Sequence, residues 1–340
     1  MQQLLSPTIV DLLKLRRLED EEARLYAPDI RIRTATPMGV SVVMVCYHTG
    51  KVLYDSIARV LSEPSVRQLV LVDNGSSAQT ARRLRELDEA DERVLLVQGQ
   101  GNIGFARAAN LGGQLASEPW VLFLNPDAIL CDGAVEGLVK TASQARHPCI
   151  VGARVLNPDL SEQRGARRGE VTPFTTLVSL TRLSGLIPAL RKFEIHLEDQ
   201  PVPAGPEPVK TISGACFAMS RVDFLQMGGF DTSFFLHVED VDLCWRVRER
   251  GGQVLFHPQA HVIHEGHTSR VEPIFVELNK GHGLNYYFRK RAKGLWRKAY
   301  VAALCPVILG VSVLRAALRP RLRDEEDEGT QTEMLNGKGA

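Results

Sequence analysis

From Val40 onward, short apolar runs alternate with stretches of helical spacing. Residues 40–46, 68–72, 94–97 and 120–124 form apolar runs of strand length, while 51–62, 78–90 and 104–116 carry helical patterns. Strands alternating with helices predict βαβ units and a mostly parallel sheet. Runs apolar on both faces predict strands covered by helices on both sides. Further strands are predicted at 149–155, 209–218 and 253–256. Between the first two, 170–208 breaks the rhythm with an apolar, helix-like piece at 174–190 and the proline-rich loop PVPAGPEP. That stretch reads as a mobile insertion near a site. Ahead of the sheet, 1–38 reads as a lead-in with a charged surface helix at 9–26, punctuated by Pro37 and Gly39.

In such sheets ligands bind beyond the carboxyl ends of the strands, and the polar residues gather there. The first four strands end in Cys46-Tyr47-His48, Asp73-Asn74-Gly75-Ser76, Gly99-Gln100-Gly101-Asn102-Ile103-Gly104 and Asn125-Pro126-Asp127. Any one of these is ordinary turn chemistry; four in succession predict a nucleotide crevice. Gly99, Gly101 and Gly104 also match a G-x-G-x-x-G dinucleotide fingerprint, with Asp127 as the acid. That fingerprint normally opens its unit at the first strand, whereas here two strand–helix pairs precede it.

The stretch 230–246, FDTSFFLHVEDVDLCWR, sets three carboxylates at a helix start near Val238, and Gly251-Gly252 stop the helix. Helical periodicity places Glu239, Asp242 and Arg246 on one face and Asp240 in line with Leu243, Cys244 and Val247. A solvated, charge-paired helix start accounts for Glu239 and Asp242. A carboxylate heading an apolar stripe is costly unless it meets a polar pocket or a partner, which makes Asp240 the candidate for chemistry. Arg164, Arg167 and Arg168 read as solvated loop surface, although arginine can clamp phosphate. Small residues at Ser213-Gly214-Ala215-Cys216 would let a ligand approach the backbone. Of His257, His261, His264 and His267, His264 ends an alternating run beside Glu265-Gly266. One imidazole with one or two carboxylates would hold a divalent ion completed by a substrate phosphate.

Composition narrows this little. The 340 residues are 44% hydrophobic and 24% charged, with formal net charge +1, so bulk charge does not point to nucleic acid. Six cysteines without CxxC or zinc-like spacing predict a reducing compartment and no disulfide framework. The N-terminus lacks a signal-peptide pattern, which predicts a cytoplasmic protein.

Six pieces in order, VDNGSS (72–77), NIGFARAAN (102–110), LFLNPD (122–127), SGACFAMSR (213–221), GGFDTSFFLHVEDVDLCWR (228–246) and HVIHEG (261–266), resemble the family 2 glycosyltransferases, and within them the bacterial rhamnosyltransferase branch that builds cell-surface polysaccharide. The resemblance implies an α/β GT-A domain over 39–288, with a nucleotide-binding half at 39–130 and an acceptor half at 149–288. It implies inverting transfer of a sugar, L-rhamnose from dTDP-rhamnose, to a hydroxyl of a polysaccharide or lipid-linked oligosaccharide. Carried onto this chain, Asp73 would hold the nucleobase, and Tyr47, Asn74, Asn102, Asn125 and Gly214 would line the donor pocket. Asp127 and His264 would hold Mn2+ or Mg2+. Asp240 would be the general base, with Glu239, Asp242 and Arg246 in support. Asn125 departs from the aspartate of many relatives and removes one charge from the metal site; His48 replaces a frequent asparagine.

From Arg289 the composition shifts. Arg289, Lys290, Arg291, Lys293, Arg297 and Lys298 precede an uncharged run at 299–314, and Arg315, Arg319, Arg321 and Arg323 follow it. Sixteen residues interrupted by Pro306 fall short of the ~20 that span a bilayer. With Trp296 and Tyr300 alongside, 289–323 is predicted to be amphipathic and to lie on the cytoplasmic face of the inner membrane, where a lipid-linked acceptor would be; a buried core helix is the alternative. The tail at 324–340 reads as disordered. Two other classes stay open at this point: a nucleotide-sugar-binding scaffold without turnover, which Asn125 favours, and an NAD(P)-dependent oxidoreductase.

Overall fold

The computed structural model describes residues 39–266 and 272–318. The expected lead-in helix, His267, Arg319, Arg321, Arg323 and the acidic tail lie outside the described residues. The chain divides into two compact units, 1–270 and 271–340.

In the first unit, strands β1 (Val40–Cys46), β2 (Val66–Asp73), β3 (Val94–Val97) and β4 (Trp120–Leu124) alternate with helices α1 (Val52–Leu61), α2 (Ala78–Ala90) and α3 (Phe105–Leu115). These four strands lie parallel in the order β3-β2-β1-β4. Their largely apolar sequences follow from burial, complete along β1 and over the second half of β2 and partial in β3. Val40, Val42, Met44 and Cys46 pack to one side with Leu53, Ile57 and Val60 of α1, and Val43 and Val45 pack to the other with Ala106, Ala108 and Ala109 of α3. On that second side Phe123 is ringed by Phe217, Phe224 and Phe230, with centroids 4.8–5.3 Å away. Each such ring buried stabilises the fold by roughly 1.5–3 kcal/mol. Helix α3 lies close to the sheet because Gly112 offers no side chain, where a Cβ would stand 2.4 Å from Val43, and close to Phe224 because Gly113 offers none, where a Cβ would stand 2.3 Å from that ring.

Next come β5 (Ala128–Leu130), α4 (Ala134–Gln144), β6 (Cys149–Leu156), β7 (Arg167–Arg168), α5 (Pro173–Leu180) and α6 (Leu183–Leu186). A 3-10 turn (Pro188–Phe193) leads to β8 (Glu207–Pro208), β9 (Thr211–Ile212), β10 (Cys216–Ser220), α7 (Arg221–Gln226), α8 (Glu239–Glu249) and β11 (Gln253–His264). The sheet continues from β4 as β10-β6-β11-β5, with β10 antiparallel to both neighbours and β5 antiparallel to β11. A separate pair, β7–β9, stands beside it.

Three expectations are corrected here. The strand expected at 209–218 is two, because Ser213-Gly214-Ala215 turn between β9 and β10. The runs at 253–256 and 260–264 are one strand, whose pairing with β6 shifts between His257 and His261. The helical piece at 174–190 is broken into α5, α6 and the 3-10 turn, where Arg182 takes a left-handed conformation. All six cysteines are free thiols, five of them buried.

The second unit is a helical hairpin, α9 (Pro273–Arg291) and α10 (Leu295–Leu318), which pack on each other. Val301, Cys305, Ile308, Ser312 and Ala316 are buried at spacings of three and four, so one face of α10 is covered. Leu295, Trp296, Tyr300, Val307, Val313 and Leu314 are exposed on the rest of it. Here too an expectation is corrected. The helix runs through Pro306, and over 295–317 it is long and apolar enough, by length and composition, to cross a membrane.

Candidate functional site

The ends of β1–β4 form one rim of the site. Asp73 closes its own turn: Oδ1 accepts from the Gly75 and Ser76 amides (3.2 and 2.8 Å) and Oδ2 from Gln98 (2.9 Å). Asn74 and Asn102 tie the ends of β2 and β3 together. Asn74 Nδ2 donates to Asn102 Oδ1 (3.0 Å), while the Ile103 amide donates to Asn74 Oδ1 (3.0 Å). The Tyr47 ring lies over Gly75, where an added Cβ would come within 3.3 Å. The third glycine of the G-x-G-x-x-G run has a different cause from dinucleotide binding. Gly104 sits at φ +83°, and a Cβ there would meet the ring and carbonyl of Phe235 at 2.8 Å, both from the 230–238 loop.

Strand pairing brings the second corner together. His264 of β11 is in register with Ala128 of β5, and the Glu265 amide donates to the Asp127 carbonyl (3.1 Å). His264 Nε2 therefore lies 3.0 Å from Asp127 Oδ1 and 3.2 Å from Asn125 Nδ2. A residue the sequence reading passed over completes this corner. Gln163 Nε2 donates to Asn157 Oδ1 (3.1 Å) and to the His264 carbonyl (3.2 Å), which leaves Oε1 to face His264 Nδ1 at 2.7 Å. Oε1 only accepts, so Nδ1 carries a hydrogen and, in the neutral ring, Nε2 presents its lone pair to the Asp127 carboxylate. Two lone pairs facing at this distance are relieved by a proton or a cation between them. Oxygen-plus-imidazole donors fit Mn2+ or Mg2+, which keep open positions for water and substrate phosphate. Among the described residues no cluster of three or more His, Cys, Asp or Glu side chains is present.

The third corner is the start of α8. His237 and Val238 both have positive φ (69° and 75°), an uncommon conformation that turns the chain abruptly into the helix. Asp240 Oδ1 accepts from the Val241 amide (2.8 Å), and Oδ2 accepts from the Gly214 amide (3.1 Å) and from Arg168 Nη2. Gly214, expected at the donor, thus stands against Asp240. The Asn125 amide donates to the Ala215 carbonyl (2.8 Å), which sets this corner beside the Asp127–His264 corner.

Two readings of the sequence change. Arg167 and Arg168 are not solvated surface: the Arg167 side chain is 2% exposed and bonded to Glu162 (2.7 Å), and Arg168 pairs with Asp240. Nor is the helix start solvated. Asp242 is fully buried and accepts from Arg246 Nε (2.7 Å), whose other nitrogens donate to the Met227 and Gly229 carbonyls. Glu239 is buried, and its Oε2 makes no hydrogen bond among the described residues. Burial, then the neighbouring Asp240 carboxylate, pushes the Glu239 carboxyl up to about 8. Between about 4.5 and about 8 the folded protein keeps a proton that the unfolded chain releases. Stability therefore falls as pH rises through that window, by up to about 1.4 kcal/mol per pH unit. Glu239→Gln removes this loss: thermal unfolding followed from pH 6 to 8.5 is expected to show the variant gaining on wild type by several degrees, and parallel curves would refute the buried proton.

Comparison with known proteins follows the same lines. The model of the family described as Glycosyl transferase family 2 matches residues 41–224. An N-acetylglucosaminyl-diphospho-decaprenol L-rhamnosyltransferase of Mycobacterium tuberculosis is 27% identical over 311 residues, covering 87% of this chain and 98% of that protein. A low-salt glycan biosynthesis hexosyltransferase of Haloferax volcanii is 26% identical over 228 residues, 66% of each chain. Among solved structures, a mannosyltransferase from Pyrobaculum calidifontis in complex with GDP-Man and Mn2+ superposes with TM-score 0.52 at 16% identity, covering 91% of this chain and 84% of that one; it shows the GT-A fold alone.

Proposed function

The chain belongs to glycosyl transferase family 2, whose members transfer sugar from a nucleotide-activated donor, and we propose that it moves L-rhamnose from dTDP-rhamnose to a hydroxyl of a lipid-linked saccharide by a single inverting displacement. The sugar and the acceptor class rest on the mycobacterial L-rhamnosyltransferase, similar over nearly its whole length, and the dTDP carrier on the resemblance to the rhamnosyltransferase branch. The observation that carries the chemistry is the Asp240 carboxylate, fixed by the Gly214 amide and Arg168 next to the Asp127–His264 corner. In this reading residues 39–130 hold the nucleotide and 149–288 present the acceptor. Asp73, Asn74, Asn102 and Tyr47 shape the nucleotide end, and Asp240 takes the proton of the attacking hydroxyl. Asp127 and His264 would hold Mn2+ or Mg2+. A bound ion supplies neutralisation of the charge that develops on the leaving diphosphate.

Thermal unfolding with a panel of nucleotide sugars and NAD(P), each with and without Mn2+, tests the reading. Stabilisation by dTDP-rhamnose that depends on Mn2+, with nucleotide release on adding N-acetylglucosaminyl-diphospho-decaprenol, is expected. Stabilisation by NAD(P) alone would replace it with the oxidoreductase. Donor binding without nucleotide release on a series of lipid-linked saccharides would replace it with the scaffold.

The hairpin α9–α10 is proposed to seat the protein on the cytoplasmic face of the inner membrane. Support comes from the exposed apolar face of α10 and the basic residues that flank it. Flotation with anionic vesicles is expected to carry the protein up, and Arg297→Gln with Lys298→Gln to weaken that binding about tenfold or more, at ~1 kcal/mol per charge. Retention after alkaline carbonate would mean the helix crosses the bilayer; equal binding to neutral vesicles would exclude the charge-led seat.

A further inference from the structure

The seven residues Glu162–Arg168 lie between the two chemically distinct corners and touch both. After β6 the chain reverses at Asn157–Ser161, and the Gln163 amide donates back to the Val155 carbonyl (2.8 Å). Gly165, at φ +92°, turns it again. Arg167 and Arg168 then pair with Ile212 and Thr211, and the Ser213 amide donates to the Ala166 carbonyl (3.0 Å). The middle of the segment is anchored in the interior. Arg167 donates to Glu162 Oε1 (2.7 Å) and to the Gln200 and Pro201 carbonyls (2.7 and 3.2 Å), and its guanidinium lies 5.1 Å from the centre of the Phe256 ring. Glu162 Oε2 takes a second arginine, Arg154 (3.1 Å). A planar guanidinium with several bonds and a ring beneath it has one geometry available.

From that anchor one side chain reaches each corner. Gln163 Oε1 accepts from His264 Nδ1, and Gln163 itself is held by Asn157 and the His264 carbonyl. Arg168 Nη2 donates to Asp240 Oδ2 and to the Ile212 carbonyl (2.6 Å). We propose that Glu162–Arg168 is a two-ended positioning element, in which Gln163 sets the ring of His264 toward the ion-binding corner and Arg168 sets the carboxylate of Asp240 toward the acceptor. The proposal rests on the reading of Asp127–His264 as the ion site and Asp240 as the base. Bonds of the Gln163 kind fix tautomer and ring angle, and their loss costs about 10–100-fold in metal affinity. A base displaced by about 1 Å costs about 10²-fold in rate. A rival role for Arg168 is substrate contact, since its Nε is buried and makes no hydrogen bond among the described residues.

The two ends separate in experiment. Full-length Gln163→Leu, Gln163→Glu, Arg168→Met and Arg168→Lys are compared with Asp127→Ala and Asp240→Asn. Binding of Mn2+ in the presence of dTDP is read by electron paramagnetic resonance. Transfer from dTDP-rhamnose to N-acetylglucosaminyl-diphospho-decaprenol is read as kcat and KM, with donor hydrolysis by water in parallel as a reaction that needs no acceptor. Gln163→Leu is expected to weaken Mn2+ binding about 10–100-fold, with Gln163→Glu, which keeps the acceptor oxygen but loses the two donated bonds to Asn157 and the His264 carbonyl, recovering part of it. Arg168→Met is expected to leave Mn2+ binding as in wild type and to lower kcat about 10²-fold with donor KM unchanged, and Arg168→Lys to recover part. Three results overturn the proposal: wild-type Mn2+ binding in Gln163→Leu, equal loss of Mn2+ binding in Arg168→Met, or a raised acceptor KM with intact kcat in Arg168→Met. If Asp127→Ala and Asp240→Asn fail while Gln163→Leu and Arg168→Met behave as wild type, the site reading stands and the positioning element falls. Full function of Asp127→Ala or Asp240→Asn removes the underlying reading, and the proposal with it.

Discussion

Asp240→Asn is expected to lower the transfer rate by about 10²–10⁴-fold, the range for loss of a general base, while leaving nucleotide-sugar affinity within about threefold of wild type. The substitution is nearly isosteric. An asparagine oxygen placed at Oδ2 still accepts from the Gly214 amide and Arg168. Its NH2 then faces the Val241 amide, which loses its acceptor, a penalty of about 1 kcal/mol. The fold and the donor end are therefore preserved while the amide has no basicity to offer. Steady-state kinetics together with titration calorimetry of the donor read the two effects separately. Undiminished turnover would strip Asp240 of its role, and a parallel loss of donor affinity would mean that it acts on the donor.

The second large effect falls on the other side of the reaction. Asp127→Ala takes away a carboxylate that faces His264 Nε2, and leaves Asn125 and His264 at this corner without its negative charge. Mn2+-dependent donor binding is expected to drop by at least about 10²-fold, in line with several kcal/mol of charge stabilisation at such sites, whereas binding without Mn2+ changes little. Donor calorimetry in Mn2+ and in chelator measures both. Equal affinities in the two media, in wild type and variant alike, would detach Asp127 from any ion. Asn125→Asp is the instructive companion, since it adds the charge this chain lacks.

Much of this was legible in the sequence wherever the signal is local. The strands β1, β3 and β4 and the helix α2 begin and end where their apolar runs and flanking turns put them, because short apolar runs in the strands and the Ser77 cap of the helix are local signals. The strand at 209–218 misled for a physical reason. Its apolar run continues, but at Gly214 the backbone N–H leaves the sheet for the Asp240 side chain, and side-chain capture of an amide leaves no periodicity. The arginine cluster misled for a different reason. Arg168 and Asp240 are 72 residues apart and Gln163 and His264 are 101 apart, so nothing near either residue signals its partner. Glu239 shows the same limit: its place at a helix start was visible, but its burial, set by the tertiary fold, was not.

The placement of β5 has a consequence in time. Residues 128–130 follow β4 directly in the chain yet pair at the far edge of the sheet with the end of β11. Asp127 must wait for His264, 137 residues further on. At about 5–20 residues per second a ribosome needs roughly 7–27 s to make that stretch. Until β10 is made the outer edge of β4 stays open, and until the end of β11 is made β5 has no strand to pair with, so both edges are open to other chains in turn. The corner that would grip the ion is thus among the last parts of the first unit to close. Slow, late closure of contacts so distant in sequence makes the nascent chain, more than the finished protein, the form most dependent on chaperones.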